Sequence, residues 1–278
     1  MEYAILYIIG NGFDLAHGMK TRYGDFKRWL IENDRFDVIK ELESAYPAKM
    51  GEVFLLWSDF ETALGQYDIE KVINWSWEDL ILTEVSISGQ HCDNPQFFLE
   101  RQLNDIINSA FSAWAKQIKL ASFTNFTLPL EALYLTFNYT NTLEKLYVIP
   151  ENHVLHIHGR ANADDKLIVG HNRMIDPSKY WDDSIYLREN NERMQRLSNM
   201  NDLCKPFDEI IERNEGFFHM MNRVQDIHVT GHSCGEIDYP YFREVKTSVA
   251  ECAQWHFNPY TDEDEKRIEK LKNEIGIR

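Results

Sequence analysis

The chain has 278 residues, with 29 Lys or Arg and 45 Asp or Glu, so its formal net charge is 29 − 45 = −16. A protein that binds nucleic acid through its overall field needs clustered Lys and Arg, so this charge argues against a nucleic-acid partner. Hydrophobic residues make up 44% of the chain and charged residues 27%, which is typical of a globular protein.

The first apolar segment, Tyr3–Ile9, is preceded by Glu2 and has no basic residue beside it. This pattern differs from a secretory signal, so we interpret the segment as a buried strand of a cytoplasmic protein. No stretch of about 18 uninterrupted apolar residues occurs, so we expect no membrane span. The cysteines form no Cys-x-x-Cys pair, which leaves a zinc or redox centre unsupported.

Several predicted strands are nearly continuous apolar runs that end in Gly, Asn or His. Strands buried on both faces have this pattern, which favours a parallel sheet covered by helices. We therefore predict an α/β fold with a Rossmann-like, mostly parallel sheet of about six strands. The predicted strands are Tyr3–Ile9, Leu133–Asn138, His153–Ile157, Leu167–Val169, Asp226–Thr230 and Gln254–Phe257.

The long segment between the first two strands has helical spacing. Tyr23, Phe26 and Leu30 fall at i, i+3 and i+7, and such a segment is too long for a simple crossover. We predict a helical insertion over about residues 20–125, forming a layer or cap within a single α/β domain over 1–278. Further stripes at helical spacing are Val53, Leu56, Phe60 and Leu64, and Leu99, Leu103, Ile106, Ala110 and Trp114.

Two later segments are also predicted to be helical. One runs over about residues 181–223. The other begins after Thr261, where acidic residues follow a capping residue and Ile268, Leu271 and Ile275 form one apolar stripe.

The first candidate motif, Gly10-Asn11-Gly12-Phe13-Asp14, directly follows the first predicted strand, with His17 three residues further on. Glycines there let the backbone turn sharply and approach a ligand, and a helix starting near Phe13 can direct N–H groups at a phosphate. A tight turn without a ligand is an equally good interpretation. Either Asp14 and His17 both point into the same crevice, or Asp14 caps the following helix.

A second motif, Asn138-Tyr139-Thr140, ends the second predicted strand. An Asn side chain both donates and accepts, so at a crevice it can hold a ribose hydroxyl or an attacking water. The alternative is a strand-to-helix turn capped by Asn138 or Thr140.

A third motif, His156-Ile157-His158-Gly159, ends the third predicted strand. A period of two residues puts His156 and His158 on one face. His158 there is a candidate general base, because histidine titrates near neutral pH. Alternatively the two histidines ligate a metal with His171, or both are core residues.

A fourth motif, Gly231-His232-Ser233, follows the strand Asp226–Thr230. Gly231 lets the backbone come close to an adenine, ribose or phosphate, and Ser233 can donate a hydrogen bond to it. The alternatives are a metal ligand contributed by His232 and a simple turn.

These motifs occur in a fixed order along the chain. They begin with Gly10-Asn11-Gly12-Phe13-Asp14-Leu15-Ala16-His17-Gly18 and Thr21-Arg22-Tyr23-Gly24-Asp25-Phe26, and continue with Trp57-Ser58-Asp59-Phe60-Glu61, Thr136-Phe137-Asn138-Tyr139-Thr140, His156-Ile157-His158-Gly159 and Gly231-His232-Ser233. The series resembles the AbiH family of bacterial phage abortive-infection proteins, over about Ile5 to Phe257. The resemblance implies a bacterial antiphage protein.

The same pattern is distantly similar to sirtuin-like NAD-binding domains. That resemblance implies that Gly10 and Gly12 line the dinucleotide phosphates, and that Gly231 and Ser233 contact the adenosine side. It also implies that Asn138 and His158 match a catalytic Asn and His. The cysteine zinc module of deacetylating sirtuins is missing, which argues against protein deacylation. The remaining expected NAD contacts are Asn11, Phe13, Asp14, His17, Tyr139 and His232.

Our leading hypothesis is therefore an antiphage protein that binds NAD or a related nucleotide and hydrolyses its N-glycosidic bond, without a metal. Two alternatives stay open, namely a non-catalytic nucleotide sensor and a metal-dependent phosphoesterase or nuclease. As macromolecular partners we consider a homo-oligomer or a phage-derived trigger.

Overall fold

The computed structural model describes residues 3–45, 57–74, 103–163 and 165–277. The chain forms two compact units. Unit 1 consists of Met1–Arg22, Ala115–Ile168 and Pro206–Arg278, and unit 2 consists of Tyr23–Trp114 and Val169–Lys205. Unit 2 thus combines most of the predicted insertion with a segment from later in the chain. The single domain over residues 1–278 stays a prediction.

Unit 1 contains an all-parallel sheet of five strands in the order β3-β2-β1-β4-β5. Ile8 of β1 is paired with Leu135 of β2 and with Val229 of β4, which fixes the register of the three central strands. The predicted Rossmann-like α/β fold with a parallel sheet is confirmed. The strands are β1 (Ile5–Ile9), β2 (Leu133–Thr136), β3 (Val154–His156), β4 (Asp226–Thr230) and β5 (Gln254–Phe257).

The prediction of a sixth strand at Leu167–Val169 is wrong, because this segment has no regular secondary structure. Ile168 donates one backbone hydrogen bond to the carbonyl of His158, with N and O 2.9 Å apart, and no ladder continues from it. The neighbouring β3 ends at His156, and Gly159 turns the chain with a φ of 82°. A run of three apolar residues is too short to distinguish a strand from a buried connection.

Short helices occur in both units, and the longer ones lie mainly in unit 2 and near the C-terminus. Single 3-10 turns cover Glu151–His153, Pro177–Tyr180 and Glu236–Asp238. The described α-helices are α1 (Asn11–Ala16), α2 (Tyr23–Glu32), α3 (Phe36–Ala45), α4 (Phe60–Leu64), α5 (Ile69–Ile73), α6 (Leu103–Ala115), α7 (Thr142–Leu146), α8 (Leu187–Asn201), α9 (Phe207–Arg213), α10 (Glu215–His219), α11 (Tyr239–Ser248) and α12 (Asp262–Ile275).

The core of unit 1 forms on one face of the sheet, where Leu6, Ile8 and Val229 pack against side chains of α9, α11 and α12. Tyr134 of β2 faces a second apolar cluster together with Phe13 of α1. Both faces of β1 and β2 therefore pack against apolar side chains, which explains their continuous apolar sequences.

The predicted C-terminal helix is confirmed as α12. Thr261 caps it, because its hydroxyl accepts from the Asp264 amide while the Asp264 carboxylate accepts from the Thr261 amide. The predicted stripe of Ile268, Leu271 and Ile275 is buried in the core of unit 1. Each such aliphatic side chain contributes about 1.5–3 kcal/mol when removed from water.

Unit 2 is built around an aromatic cluster. The ring centroid of Phe26 in α2 lies 5.2 Å from that of Phe111 and 5.3 Å from that of Trp114, both in α6. The predicted face of α2 is confirmed, since Phe26 and Leu30 are fully buried. Val53, Leu56 and Leu99 of the predicted stripes lie outside the described residues.

In the part of the chain that the structure describes, no helix combines the length and the apolar character needed to cross a bilayer.

Candidate functional site

The strand order indicates where a ligand site is expected. From β1 the sheet grows through β2 to β3 on one side and through β4 to β5 on the other, so the topological switch point lies between β1 and β4. In open α/β sheets, ligands bind outside the carboxyl ends of the strands at such a point. The four motifs all lie at this edge, since Gly10 follows β1, Asn138 follows β2, His158 follows β3 and Gly231 follows β4.

At the switch point the main chain packs directly on the main chain. We call this contact between Gly10, Gly12 and Gly231 the glycine junction. A Cβ atom on Gly10 would lie less than 3.0 Å from the Cα of His232, and one on Gly231 less than 3.0 Å from the amide nitrogen of Phe13. Gly231 also has a φ of 66°, in the left-handed region that favours glycine. Glycine is therefore required here by the packing of two loops.

The amides of the glycine junction already have acceptors. Gly10 donates to the Thr230 carbonyl, with N and O 3.0 Å apart, and Gly12 donates to the Gly231 carbonyl at 2.7 Å. Phe13 donates to the carbonyl of Gly10 at 3.0 Å. These hydrogen bonds hold the β1–α1 turn against the end of β4, so the three N–H groups are not directed at a ligand in this arrangement.

His17 and Phe13 face an aromatic cluster of unit 1. His17 donates from Nδ1 to the Phe13 carbonyl, 2.7 Å away, and its Nε2 lies 2.7 Å from the hydroxyl of Tyr147. That hydroxyl accepts from the amides of Asn125 and Phe126, so its own proton is directed at Nε2 of His17. Both ring nitrogens of His17 are thus used within the fold.

Asp14 is the centre of a buried polar network. Its carboxylate accepts from the Thr140 hydroxyl, with the oxygens 2.6 Å apart, and from the Thr142 hydroxyl at 2.9 Å. Burial raises the pKa of Asp14, and the two threonine hydrogen bonds act in the opposite direction. We call Asp14, Asn138, Thr140 and Thr142 the polar cluster. It joins α1 to the segment after β2.

Asn138 is the member of the polar cluster with an unpaired atom. Its amide N–H donates to Oγ1 of Thr136, with the atoms 3.1 Å apart, and a hydrogen bond from its side chain helps to lower the pKa of Asp14. Its Oδ1 is buried and accepts no hydrogen bond from any described residue. Only 6% of Asn138 is exposed, so this acceptor is withdrawn from bulk water without compensation.

His156 pairs with an acid rather than pointing the same way as His158. Its Nε2 lies 2.8 Å from Oε1 of Glu144 in α7, and its Nδ1 lies 3.0 Å from the Asn138 carbonyl oxygen. Burial alone would raise the pKa of Glu144, but the hydrogen bond and charge of His156, together with a backbone hydrogen bond and the charge of Arg160, lower it. Because β3 ends at His156, the alternation that would align the two histidines does not continue.

His158 lies among aromatic rings beside Asn138 along the sheet edge. Its ring centroid is 5.4 Å from that of Phe137 and 5.6 Å from that of Tyr241, and only 2% of the residue is exposed. Tyr139 stacks on it at 6.2 Å, and the Tyr139 hydroxyl donates to the Ile168 carbonyl at 2.9 Å. Asn138 and His158 each lie two residues beyond the paired residues Thr136 and His156.

The turn after β4 holds His232 rigidly. Its Nδ1 accepts from the Cys234 amide at 2.9 Å, so its Nε2 carries the proton that faces Oδ2 of Asp238 at 3.3 Å. Ser233 is exposed beside it. Asn11, on the other side of the glycine junction, is exposed and donates from Nδ2 to the Thr21 carbonyl at 3.0 Å.

The candidate metal ligands have other partners. His171 belongs to unit 2, where it donates to the Met200 carbonyl at 3.0 Å, and burial lowers its pKa to about 4. Among residues 3–45, 57–74, 103–163 and 165–277, no three or more His, Cys, Asp or Glu side chains are grouped so that they could hold a metal ion.

Residues missing from the sequence prediction are Thr142, Glu144 and Asp238. Thr140 and Thr142, two hydroxyl side chains at i and i+2 shortly after β2, are a usable signal for a buried acid nearby. The pairing of Glu144 with His156 has no comparable local signal.

The fold and the site together define a Rossmann-like α/β protein with a buried polar cluster at the carboxyl edge of its sheet. The family model described as "Bacteriophage abortive infection AbiH" matches residues 6–259, and the chain belongs to this AbiH family. Membership indicates a bacterial antiphage role in abortive infection. No curated protein and no solved structure matches the chain. The similarity to sirtuin-like domains stays a prediction.

Proposed function

We propose that unit 1 binds NAD or a related nucleotide at the carboxyl ends of β2 and β3 and hydrolyses its N-glycosidic bond as its part in abortive infection. The observation that carries this proposal is Oδ1 of Asn138, a buried acceptor with no partner among the described residues. A buried unpaired acceptor costs about 1–3 kcal/mol, and a ligand hydroxyl or water would remove that cost. It lies at the edge where parallel α/β sheets bind ligands.

The reaction needs a hydrogen-bond acceptor that orients the water and a general base that takes its proton. Water attacks C1′ of the nicotinamide ribose while the C1′–N bond breaks. The electron pair of that bond leaves with nicotinamide, which departs neutral. Oδ1 of Asn138 orients the water or a ribose hydroxyl, and His158 accepts the proton that the water loses. The Asn138 side chain lies close enough to Asp14 to help lower the pKa of that carboxyl group.

The other predicted contacts take supporting roles in this proposal. Gly10, Gly12 and Gly231 let the two loops meet. Phe13 and His17 hold α1 in place through their contacts with the aromatic cluster. Tyr139 stacks on His158 and orients it. Asn11, His232 and Ser233 lie on either side of the glycine junction, where they would reach the more distant half of a dinucleotide.

The test is release of nicotinamide from NAD by the purified protein. Asn138→Ala and His158→Ala are expected to reduce turnover at least about 100-fold, as loss of a positioned general base or orienting group does. The matched controls are Asn273→Ala and His219→Ala, which change exposed residues of the same unit and should leave turnover unchanged.

Undiminished turnover in the two site variants would exclude this residue assignment. NAD binding without turnover in the wild type would make the protein a nucleotide sensor. Chelator-sensitive cleavage of phosphodiesters would make it a metal-dependent nuclease.

A further inference from the structure

The Glu144–His156 pair takes no part in the chemistry proposed above, although it is buried next to the polar cluster. The side chains are 6% and 7% exposed, respectively, and Oε1 and Nε2 lie 2.8 Å apart. Burying two charges carries a desolvation cost that their attraction offsets only in part, so stability is a weak explanation for such a pair. A specific role in the candidate site is a better explanation for the pair.

The partners of His156 determine which of its ring nitrogens donates. Arg160 lies 3.8 Å from Oε1 of Glu144, while Glu151 and Asp165 contact Arg160 from its outer side. The other partner of His156 is the carbonyl oxygen of Asn138, which can only accept. Nδ1 of His156 therefore carries the proton of this hydrogen bond, and Nε2 faces Oε1 of Glu144.

The hydrogen bond from Nδ1 of His156 completes a clamp on the backbone of Asn138. Thr136 Oγ1 accepts from the Asn138 N–H, and His156 Nδ1–H donates to the Asn138 carbonyl at 3.0 Å. Both peptide groups that flank the Asn138 side chain are therefore held, while its Oδ1 has no partner among the described residues. We infer that Glu144 and His156 are positioning residues that fix Asn138 for the substrate, an inference that rests on the proposed function.

The kinetic test removes the clamp without leaving a buried unpaired charge. In the double variant His156→Leu/Glu144→Met both partners become apolar, which is close to neutral for stability. Its kcat should fall about 10- to 100-fold with KM within about twofold, as expected when a supporting partner of a reactive group is lost. His156→Gln keeps an N–H donor and should restore at least about a third of the wild-type kcat.

The matched control is the exposed pair of the same chemistry, His256 and Asp226, whose Nε2 and Oδ1 lie 3.3 Å apart. The double variant His256→Leu/Asp226→Met should leave kcat unchanged. An equal loss of kcat in the control, or no recovery in His156→Gln, would overturn the positioning role.

A second readout does not depend on turnover. In ¹⁵N-labelled protein, Nδ1 of the His156 ring should carry a proton, because it donates to the Asn138 carbonyl oxygen. A wild-type ring that is protonated at Nε2 alone would overturn the inference whatever the protein hydrolyses. If the wild type hydrolyses no nucleotide, the proposed function fails, and the ring spectrum alone decides whether the clamp exists.

Discussion

The glycine junction and the polar cluster lie at the same edge of one sheet but are built in opposite ways. At the junction, main chain packs on main chain, and the amides of Gly10 and Gly12 already donate to carbonyls at the end of β4. At the end of β2, side chains donate to Asp14, and Oδ1 of Asn138 is a buried acceptor with no partner among the described residues. A glycine-rich turn after a first strand can thus indicate a meeting of loops, while an unpaired buried acceptor is the better indicator of a ligand site.

The largest expected effect is at the junction. Gly231→Ala places a Cβ less than 3.0 Å from the Phe13 amide nitrogen at a residue with a φ of 66°. Overpacking costs about 1–3 kcal/mol and the left-handed backbone about 1–2 kcal/mol more, so the free energy of unfolding should fall by roughly 3 kcal/mol. Chemical denaturation of the purified variant measures it.

Gly216→Ala is the matched control for this substitution. Gly216 lies in α10, where an added Cβ meets nothing within 4 Å, so the free energy of unfolding should stay level or rise by about 0.5–1 kcal/mol. If Gly231→Ala proved as stable as the wild type, the two loops would separate readily in solution. The junction would then be a candidate ligand site after all.

A smaller effect is expected within the polar cluster. Thr142→Val removes one of the two threonine hydrogen bonds to Asp14, and a lost hydrogen bond to a charged group costs about 1.5–3 kcal/mol. The free energy of unfolding should therefore fall by about 2 kcal/mol at pH 7. Thr247→Val changes an exposed threonine of the same unit and should have almost no effect.

The Thr142→Val deficit should also depend on pH. Because burial raises the pKa of Asp14, its contribution to stability is fully present below its ordinary value of 3.8 and is lost as the pH rises through the folded-state pKa. Removing a hydrogen bond to the carboxylate raises that pKa further, so the difference from wild type should shrink as the pH is lowered from 7 towards 3.8. A deficit that is constant across this range would mean that Thr142 acts by packing alone.

Local pattern was sufficient to predict most of the fold. Continuous apolar runs predict β1 and β2, and the capping residue Thr261 with its apolar stripe predicts α12. The pattern failed at Leu167–Val169, because a short apolar run is also what a buried connection looks like. Local pattern also predicts that Asn138 and Gly231 lie at the ends of strands, because each follows an apolar run.

Side-chain contacts between residues far apart in the sequence cannot be predicted from local pattern. Nothing near His17 indicates that its ring nitrogen will meet the hydroxyl of Tyr147, 130 positions away. A Gly-x-Gly pattern likewise fits a loop that approaches a ligand and a loop that approaches another loop, because both need the missing Cβ. Only the position of Gly231 against Phe13 distinguishes the two cases.

The smallest expected effect on stability is the most informative one. Asn138→Leu replaces an unpaired buried acceptor with an apolar side chain of similar size. Relief of the unpaired Oδ1 offsets the lost interaction of the side chain with Asp14, so the free energy of unfolding should stay within about 1 kcal/mol of wild type while nicotinamide release is lost.

Asn190→Leu is the matched control, because Asn190 is also buried but has partners for both side-chain atoms. Its Nδ2 donates to the Asp182 carbonyl at 2.7 Å and its Oδ1 accepts from the Asp182 amide at 3.0 Å. Leucine there removes both hydrogen bonds, leaves the Asp182 amide unpaired and should cost about 2–4 kcal/mol. Equal losses at the two positions would show that Asn138 is held by the fold as firmly as Asn190, and the contrast between the junction and the polar cluster would not hold. A stable Asn138→Leu variant without turnover is the result expected when an acceptor is kept for a ligand at the expense of stability.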